Sequence, residues 1–282
     1  MQPFSHPAKW RDTVDPFSLH YHTFKPLEIL GYPAARNDVF HVRGSYNGEE
    51  ITAYIKAARA KDANIENEIA LLRQLPLEHI PRVLDDGANP VSFSVTSAMP
   101  GHRLSVLVGA NEHDAALEYM EAYGEALARI HQLTPAAGKT PDRKFRHTPP
   151  DELLEKLRLT SYAKYFSCPP AKGEQVFCHG DFHYANILWQ DKQISGILDF
   201  ELSGYGDRDF DIAWAIFRRH GQTFMKTEAE MQHFLRGYAK HGVYCLDSVI
   251  FYMAQNYVYF MDAADGDEDY CNYARSWLKR LD

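Results

Sequence analysis

From Val39 to Ala57, apolar and polar positions alternate in two runs, VFHVRGSY and EEITAYIKA, separated by Asn47-Gly48. Alternation with a period of two marks strands, and Asn-Gly between two such runs marks a hairpin, because both turn positions need positive φ. Lys56 falls on the second strand. In the next segment, DANIENEIALLRQLP, Ile65, Ile69, Leu72 and Leu75 recur at helical spacing, and Pro76 ends the run. Glu68 lies inside that helix. PRVLDDG and VSFSVTSAM predict two further strands. Residues 1–30, rich in His, Pro and aromatic side chains, show no clean period and read as an irregular lead-in or a short helix.

Met99-Pro100-Gly101-His102 breaks the pattern, and helical periodicity dominates afterwards, over 112–133, 151–166, 208–220, 227–241 and 248–261. Two short β runs interrupt it, EQVFCHG (174–180) and QISGILDFE (193–201). The expected fold class is α+β, with a β-rich part over residues 1–98 and a larger helical part over 99–282. No internal repeat or low-complexity tract is visible.

Composition narrows the classes. At 282 residues, with 45% apolar and 24% charged positions, the chain is long enough for one large or two modest cores. The formal charge of −8 and the lack of a dense Lys/Arg run speak against nucleic acid and lean towards a small or cationic partner. Cys168, Cys178, Cys245 and Cys271 are widely spaced, with no C-x-x-C pair, which reads as reduced thiols in the cytoplasm. No charged segment followed by an apolar run opens the chain, so no secretory leader is expected. The segment 249–261, interrupted by Gln255 and Asn256, is too short to span a bilayer.

The stretch CHGDFHYANILW (178–189) places two His, one Asp and one Asn between apolar runs, and Asp199 closes the later run ILDF. A carboxylate that takes a proton, with an amide and a second carboxylate that hold Mg²⁺, are the parts phosphoryl transfer needs. A strand lysine held by a helix glutamate completes the set, here Lys56 and Glu68. The chain order Lys56, Glu68, Asp181, Asn186, Asp199 is the protein-kinase layout.

HGDFHYANILW followed by ILDFE resembles the signature of the aminoglycoside phosphotransferase and choline kinase-like superfamily. EALARIHQL and GDRDFDIAW extend the likeness, which runs from about Gly31 to about Trp214. The resemblance implies a bilobal protein-kinase-like fold, with nucleotide and Mg²⁺ in the cleft between the lobes. By resemblance, Asp181 is the catalytic base and Asn186 and Asp199 are the Mg²⁺ ligands. Lys56 and Glu68 clamp the phosphates, and Asp211 braces the catalytic loop. The segment 95–101, with Ser97 and Met99, is the hinge facing the purine. The nucleotide-covering loop falls in GYPAARNDVF, which has a single glycine, so Asn37 and Phe40 are assigned to it. The resemblance implies ATP as donor, with GTP as the alternative, and a small hydroxyl compound, aminoglycoside-like or otherwise cationic, as acceptor. Antibiotic resistance is its implied setting, and a housekeeping metabolite kinase is the competing identity.

Each residue also has an ordinary reading. His179 is expected to support the loop rather than to act as a base. His179 and His183 share the H-x3-H spacing of some zinc sites, yet no third ligand motif accompanies them. Asp207 and Asp209 are helix-capping candidates. The run Asp262 to Asp269 reads as a solvated turn, while Asp262, Asp265 and Glu268 are candidate contacts for acceptor amino groups. A catalytically silent nucleotide-binding module is a further alternative.

Overall fold

The computed structural model describes residues 13–33, 36–171, 173–264 and 266–281. The chain divides into two compact units. The first runs to Gly101 and takes back Ser195–Leu202 from later in the chain; the second comprises His102–Ile194 and Ser203–Asp282. The boundary therefore lies three residues beyond the expected 98, at Gly101, whose φ of 94° suits a residue without Cβ. The return of 195–202 to the first unit has no signature in local periodicity.

The first unit is built on an antiparallel sheet of β1 (Phe24–Gly31), β2 (Asp38–Tyr46), β3 (Glu49–Ala57), β4 (Val83–Gly87) and β5 (Phe93–Ser97), in the order β1-β2-β3-β5-β4. Helix α1 (Ile65–Leu72) packs against β4 and β5. The β2–β3 hairpin turns at Asn47 and Gly48, with φ of 52° and 84°. Alternation sends Phe40, Val42, Ala53, Ile55, Phe93 and Val95 into one buried cluster. β1 corrects the expectation of an irregular lead-in. It is an edge strand containing Pro26, and its register with β2 shifts twice, between Pro26 and Glu28 and between Ile29 and Gly31. Those shifts erase the period-two signal, and an edge is where a sheet tolerates proline.

The second unit contains α2 (Leu104–Leu107), α3 (His113–Ile130), α4 (Asp151–Lys156), α5 (Ala163–Phe166), β6 (Gln175–Cys178) and β7 (Ile187–Gln190). After β8 (Gln193–Ile197), which leads into the first unit, come β9 (Gly204–Asp207), α6 (Arg208–Ile216), α7 (Glu228–Tyr238), α8 (Leu246–Ala263) and α9 (Glu268–Leu278). β6 pairs with β9 antiparallel. α3 and α7 cross with their backbones in contact. A Cβ on Gly124 would collide with the Phe234 carbonyl, and one on Gly237 with the Glu121 carbonyl. The helix expected over 151–166 is broken, because Arg158 adopts a φ of 57°. Leu157 and Leu159 are both buried, and residues two apart cannot share one helix face. Asp207 caps α6 by accepting from the Asp209 and Phe210 amides. Among the described residues no helix is long and apolar enough to cross a membrane.

Candidate active site

In the first unit, Lys56 stands between Ile55 and Ala57, both fully buried in the core. Alternation turns its side chain to the opposite face of β3. There Nζ donates to Glu68 Oε2 at 2.8 Å, to Asp199 Oδ1 at 2.8 Å and to Glu201 Oε2 at 3.3 Å. Burial alone would lower the Lys56 pKa, but Glu68, Asp199 and Glu201 outweigh it and hold the ammonium above its usual range. Burial pushes the Glu68 carboxyl up, against the pull of Lys56, and the neighbouring acids Asp199 and Glu201 add to that push.

Three carboxylates around one ammonium leave two negative charges in surplus. That surplus, offered by oxygen donors alone, fits a hard divalent cation such as Mg²⁺. Asp199 is held with a φ of 70°, a left-handed conformation that costs a non-glycine residue roughly 1–2 kcal/mol. The chain around it is tied down: the Phe200 amide donates to Glu68 Oε1 at 3.1 Å, and Glu201 Oε1 accepts from the Asn64 amide at 3.0 Å.

In the second unit, Asp181 follows β6 in a tight turn where Gly180 has a φ of 82°. Trp214 Nε1, on α6, donates to Asp181 Oδ1 at 2.6 Å. The Asp181 amide donates to His179 Nδ1 at 3.3 Å, and Asn186 Nδ2 donates to the Asp181 carbonyl at 3.1 Å. That bond uses the nitrogen end of the Asn186 amide and leaves its oxygen as the ligand-type atom. Beneath the turn, Asp211 accepts from the His179 amide and the Gly180 amide, each at 3.0 Å, and lies 3.2 Å from His131 Nε2. Burial would raise the Asp211 carboxyl, yet His131 and its other partners win and hold it below the usual carboxylate range.

Among the described residues, His179 and His183 join no group of three metal-type donors. His179 Nδ1 accepts from the Asp181 amide, and His183 Nδ1 accepts from the Ala185 amide at 3.3 Å, so each supports its own turn. Among the described residues, the group of three metal-type donors that does gather is His131, Cys178 and Asp211. There burial pushes the Cys178 thiol well up, away from the thiolate a metal needs, and His131 and Asp211 engage each other.

The structure thus brings Lys56, Glu68 and Asp199 together in one unit, and Asp181, Asn186, His179 and Asp211 together in the other. Two nucleotide-loop candidates are buried within the first unit. Phe40 is 4% exposed and packs against Tyr32 in the sheet core, because alternation along β2 points it inward. Asn37 is buried and donates through Nδ2 to Glu201 Oε2 at 2.8 Å, which makes it a support of the Lys56 cluster. Ser97 ends β5 and its Oγ accepts from the Arg82 amide at 2.9 Å; Met99 follows in the half-buried segment before Gly101. Asp262 pairs with Lys156 at 2.7 Å, Glu268 stands in the first turn of α9, and Asp265 lies outside the described residues.

Glu201 was not legible as a site residue, although its spacing from Asp199 is a usable signal. Trp214 and Arg219 were not legible either; Arg219 Nη2 lies 4.0 Å from Asp181 Oδ1.

The profile of the phosphotransferase enzyme family matches residues 32–244. No curated protein matches the chain. Among solved structures, an amicoumacin kinase in complex with AMP-PNP, Ca²⁺ and Ami is 17% identical, covers 93% of this chain and 90% of its own, and superposes with a TM-score of 0.61. The aminoglycoside phosphotransferase APH(4)-Ia is 14% identical over 93% of both chains, with a TM-score of 0.59. An ethanolamine kinase of Plasmodium vivax is 14% identical, covers 92% of this chain and 81% of its own, and has a TM-score of 0.54. These likenesses establish the protein-kinase-like α+β fold. With its profile match spanning most of the sequence, the chain belongs to the phosphotransferase enzyme family.

Proposed function

We propose that the protein transfers the γ-phosphoryl group of a nucleoside triphosphate to a hydroxyl of a small molecule, with ATP as donor and GTP as the alternative. The observation that carries this is the Asp181 carboxylate, one-third exposed and fixed by Trp214 on a turn that Asp211 braces. Asp181 orients the acceptor hydroxyl and takes its proton as the oxygen forms a bond to the γ-phosphorus. The bond from that phosphorus to the bridging oxygen breaks, and the nucleoside diphosphate leaves. Lys56, held extended by Glu68 and Glu201, binds phosphate oxygens. Asn186 and Asp199 would hold Mg²⁺, which when bound neutralises phosphate charge. The rate gain comes mostly from positioning and preorganised charge. Such chemistry belongs in the cytoplasm, where nucleoside triphosphates are available.

The test is a coupled ADP- and GDP-release screen over hydroxyl-bearing small molecules, with Asp181→Ala alongside. Acceptor-dependent release that Asp181→Ala abolishes supports the assignment. Release at near parental rate from that variant would overturn it.

A further inference from the structure

The second unit holds a cavity of about 390 Å³ outside the group of Asp181, Asn186, His179 and Asp211. It lies where the ends of α3 and α7, the start of α6 and the segment entering β6 meet. Its volume falls within the range of small-molecule sites. Ala128, Val176, Ala239 and Val243 supply apolar wall. Tyr238, fully buried, lines it as well, and the chain after α7 crosses that ring so closely that a Cβ on Gly242 would stand 2.5 Å from it.

The charged side chains on this lining already meet their opposites. Arg208 pairs through Nη1 with Glu174 Oε2 at 2.7 Å and through Nε with Asp209 Oδ1 at 3.1 Å. Lys240 pairs with Glu121 at 2.8 Å and with Glu125 at 2.7 Å, and His241 Nε2 lies 3.7 Å from Glu125. A charged ligand would give up its hydration here with no opposite charge left to meet. Neutral hydrogen-bonding capacity does remain. The Arg208 side chain is 11% exposed, and its Nη2 has no protein partner among the described residues. Gln132 spends its Nε2 on the His241 carbonyl at 2.6 Å, which leaves its Oε1 as an acceptor, and Glu174 keeps Oε1. A donor and acceptors on one lining match an amide, which offers a carbonyl and N–H groups together.

The same lining reaches the catalytic turn. Tyr238 Oη lies 2.7 Å from His131 Nδ1, and His131 Nε2 lies 3.2 Å from Asp211 Oδ2. Burial raises the Tyr238 hydroxyl above its usual range, so it keeps its proton and donates. The imidazole then accepts at Nδ1 and donates at Nε2 to Asp211, which in turn holds the His179 and Gly180 amides. A molecule packed beside Tyr238 restricts the ends of α3 and α7, between which His131 is held. We propose that this cavity is an additional small-molecule site, taking an uncharged ring compound that bears an amide, and that its occupant stiffens the turn carrying Asp181 through His131 and Asp211. The site is separate from donor and acceptor binding and stands apart from the phosphotransferase function.

The experiment uses the full chain and a matched set of probes. Benzamide and nicotinamide are the uncharged amides. Benzoate and benzylamine carry charge on the same skeleton, and N,N-dimethylbenzamide is the amide without N–H groups. Ligand-observed NMR titration reads binding. The two amides should saturate with Kd below about 3 mM, the scale expected of so few atoms. The charged members and the dimethyl amide should bind at least about tenfold more weakly. ADP with Mg²⁺ should displace neither amide. Ala239→Trp and Val243→Trp each place a large ring in the cavity from its exposed rim. Each should abolish amide binding, with Tm unchanged to within about 2 °C. Should either fail to fold, Gln132→Leu, which removes an open acceptor at an exposed position, should weaken binding about fivefold. In the saturated protein, hydrogen exchange at the His179 and Gly180 amides should slow by about threefold or more. The proposal is overturned by absence of saturable amide binding, by charged members that bind as well as the amides, by displacement with ADP, or by binding that survives the tryptophan variants. Unchanged exchange at saturation overturns the link to the catalytic turn.

Discussion

Replacing Asp211 with asparagine should destabilise the second unit in a pH-dependent way. The Asp211 carboxylate is fully buried and accepts from the His179 and Gly180 amides while facing His131 Nε2. Asn has the same shape but puts an NH₂ where one oxygen was. One buried backbone N–H then meets a donor, and the remaining bonds lose their charge assistance. A buried unsatisfied donor costs about 1–3 kcal/mol, and breaking a buried charged arrangement costs about 3–5 kcal/mol in all. For a chain of this size, about 3 kcal/mol corresponds to a drop of roughly 6–12 °C in Tm. Because folding depresses this carboxyl's pKa, its stabilisation is fully present above the unfolded value near 4 and is lost as pH falls through the folded value. The gap in Tm between parent and Asp211→Asn should therefore stay constant from pH 8 to 5 and narrow below about 4. Thermal unfolding followed by circular dichroism across that range measures it. Equal Tm values at pH 7, or a gap that widens in acid, would refute the reasoning.

Other expectations follow from single contacts. Trp214→Phe removes the donor to Asp181 Oδ1 and should lower kcat by about tenfold or more, with a smaller change in nucleotide affinity, measured by steady-state kinetics. Asp199→Ala should weaken Mg²⁺-nucleotide binding in calorimetry by about tenfold or more, and unchanged affinity would count against its role as a ligand. Glu201→Gln removes one of three carboxylates around Lys56 and loosens the clamp that Asn37 and Asn64 help to build. It should raise the nucleotide KM, and an unchanged value would detach Glu201 from the site. Gly124→Ala forces α3 away from the Phe234 carbonyl and should cost about 1–3 kcal/mol in denaturant unfolding.

Where local chemistry decides the outcome, the chain is readable. Asn47-Gly48 encodes the β2–β3 turn because it supplies two positive φ angles, and Asp207 encodes the start of α6 through its side-chain cap. β1 is hidden because Pro26 and two register shifts remove alternation from an edge strand. Phe40 shows the limit of reading a loop from its composition. An aromatic just inside a strand faces either the core or a ligand, and only the register of the whole sheet decides. Asp199 and Glu201 are two residues apart on either side of a left-handed bend at Asp199, and both reach Lys56. Only tertiary structure brings Lys56 to them. Trp214 ends the GDRDFDIAW run, yet its hydrogen bond to Asp181, like the approach of Arg219 to the same carboxylate, is made only by tertiary structure.

The central claim is that Asp181 is the base of a phosphoryl transfer supported by a cation-dependent nucleotide site. The most direct measurement pairs acceptor-dependent ADP release with calorimetric Mg²⁺-nucleotide binding for the parent chain and Asp181→Ala. The account predicts a fall in turnover of about 10²–10⁴-fold with nucleotide affinity retained. Turnover near the parental rate in Asp181→Ala, with nucleotide bound as tightly, would contradict it.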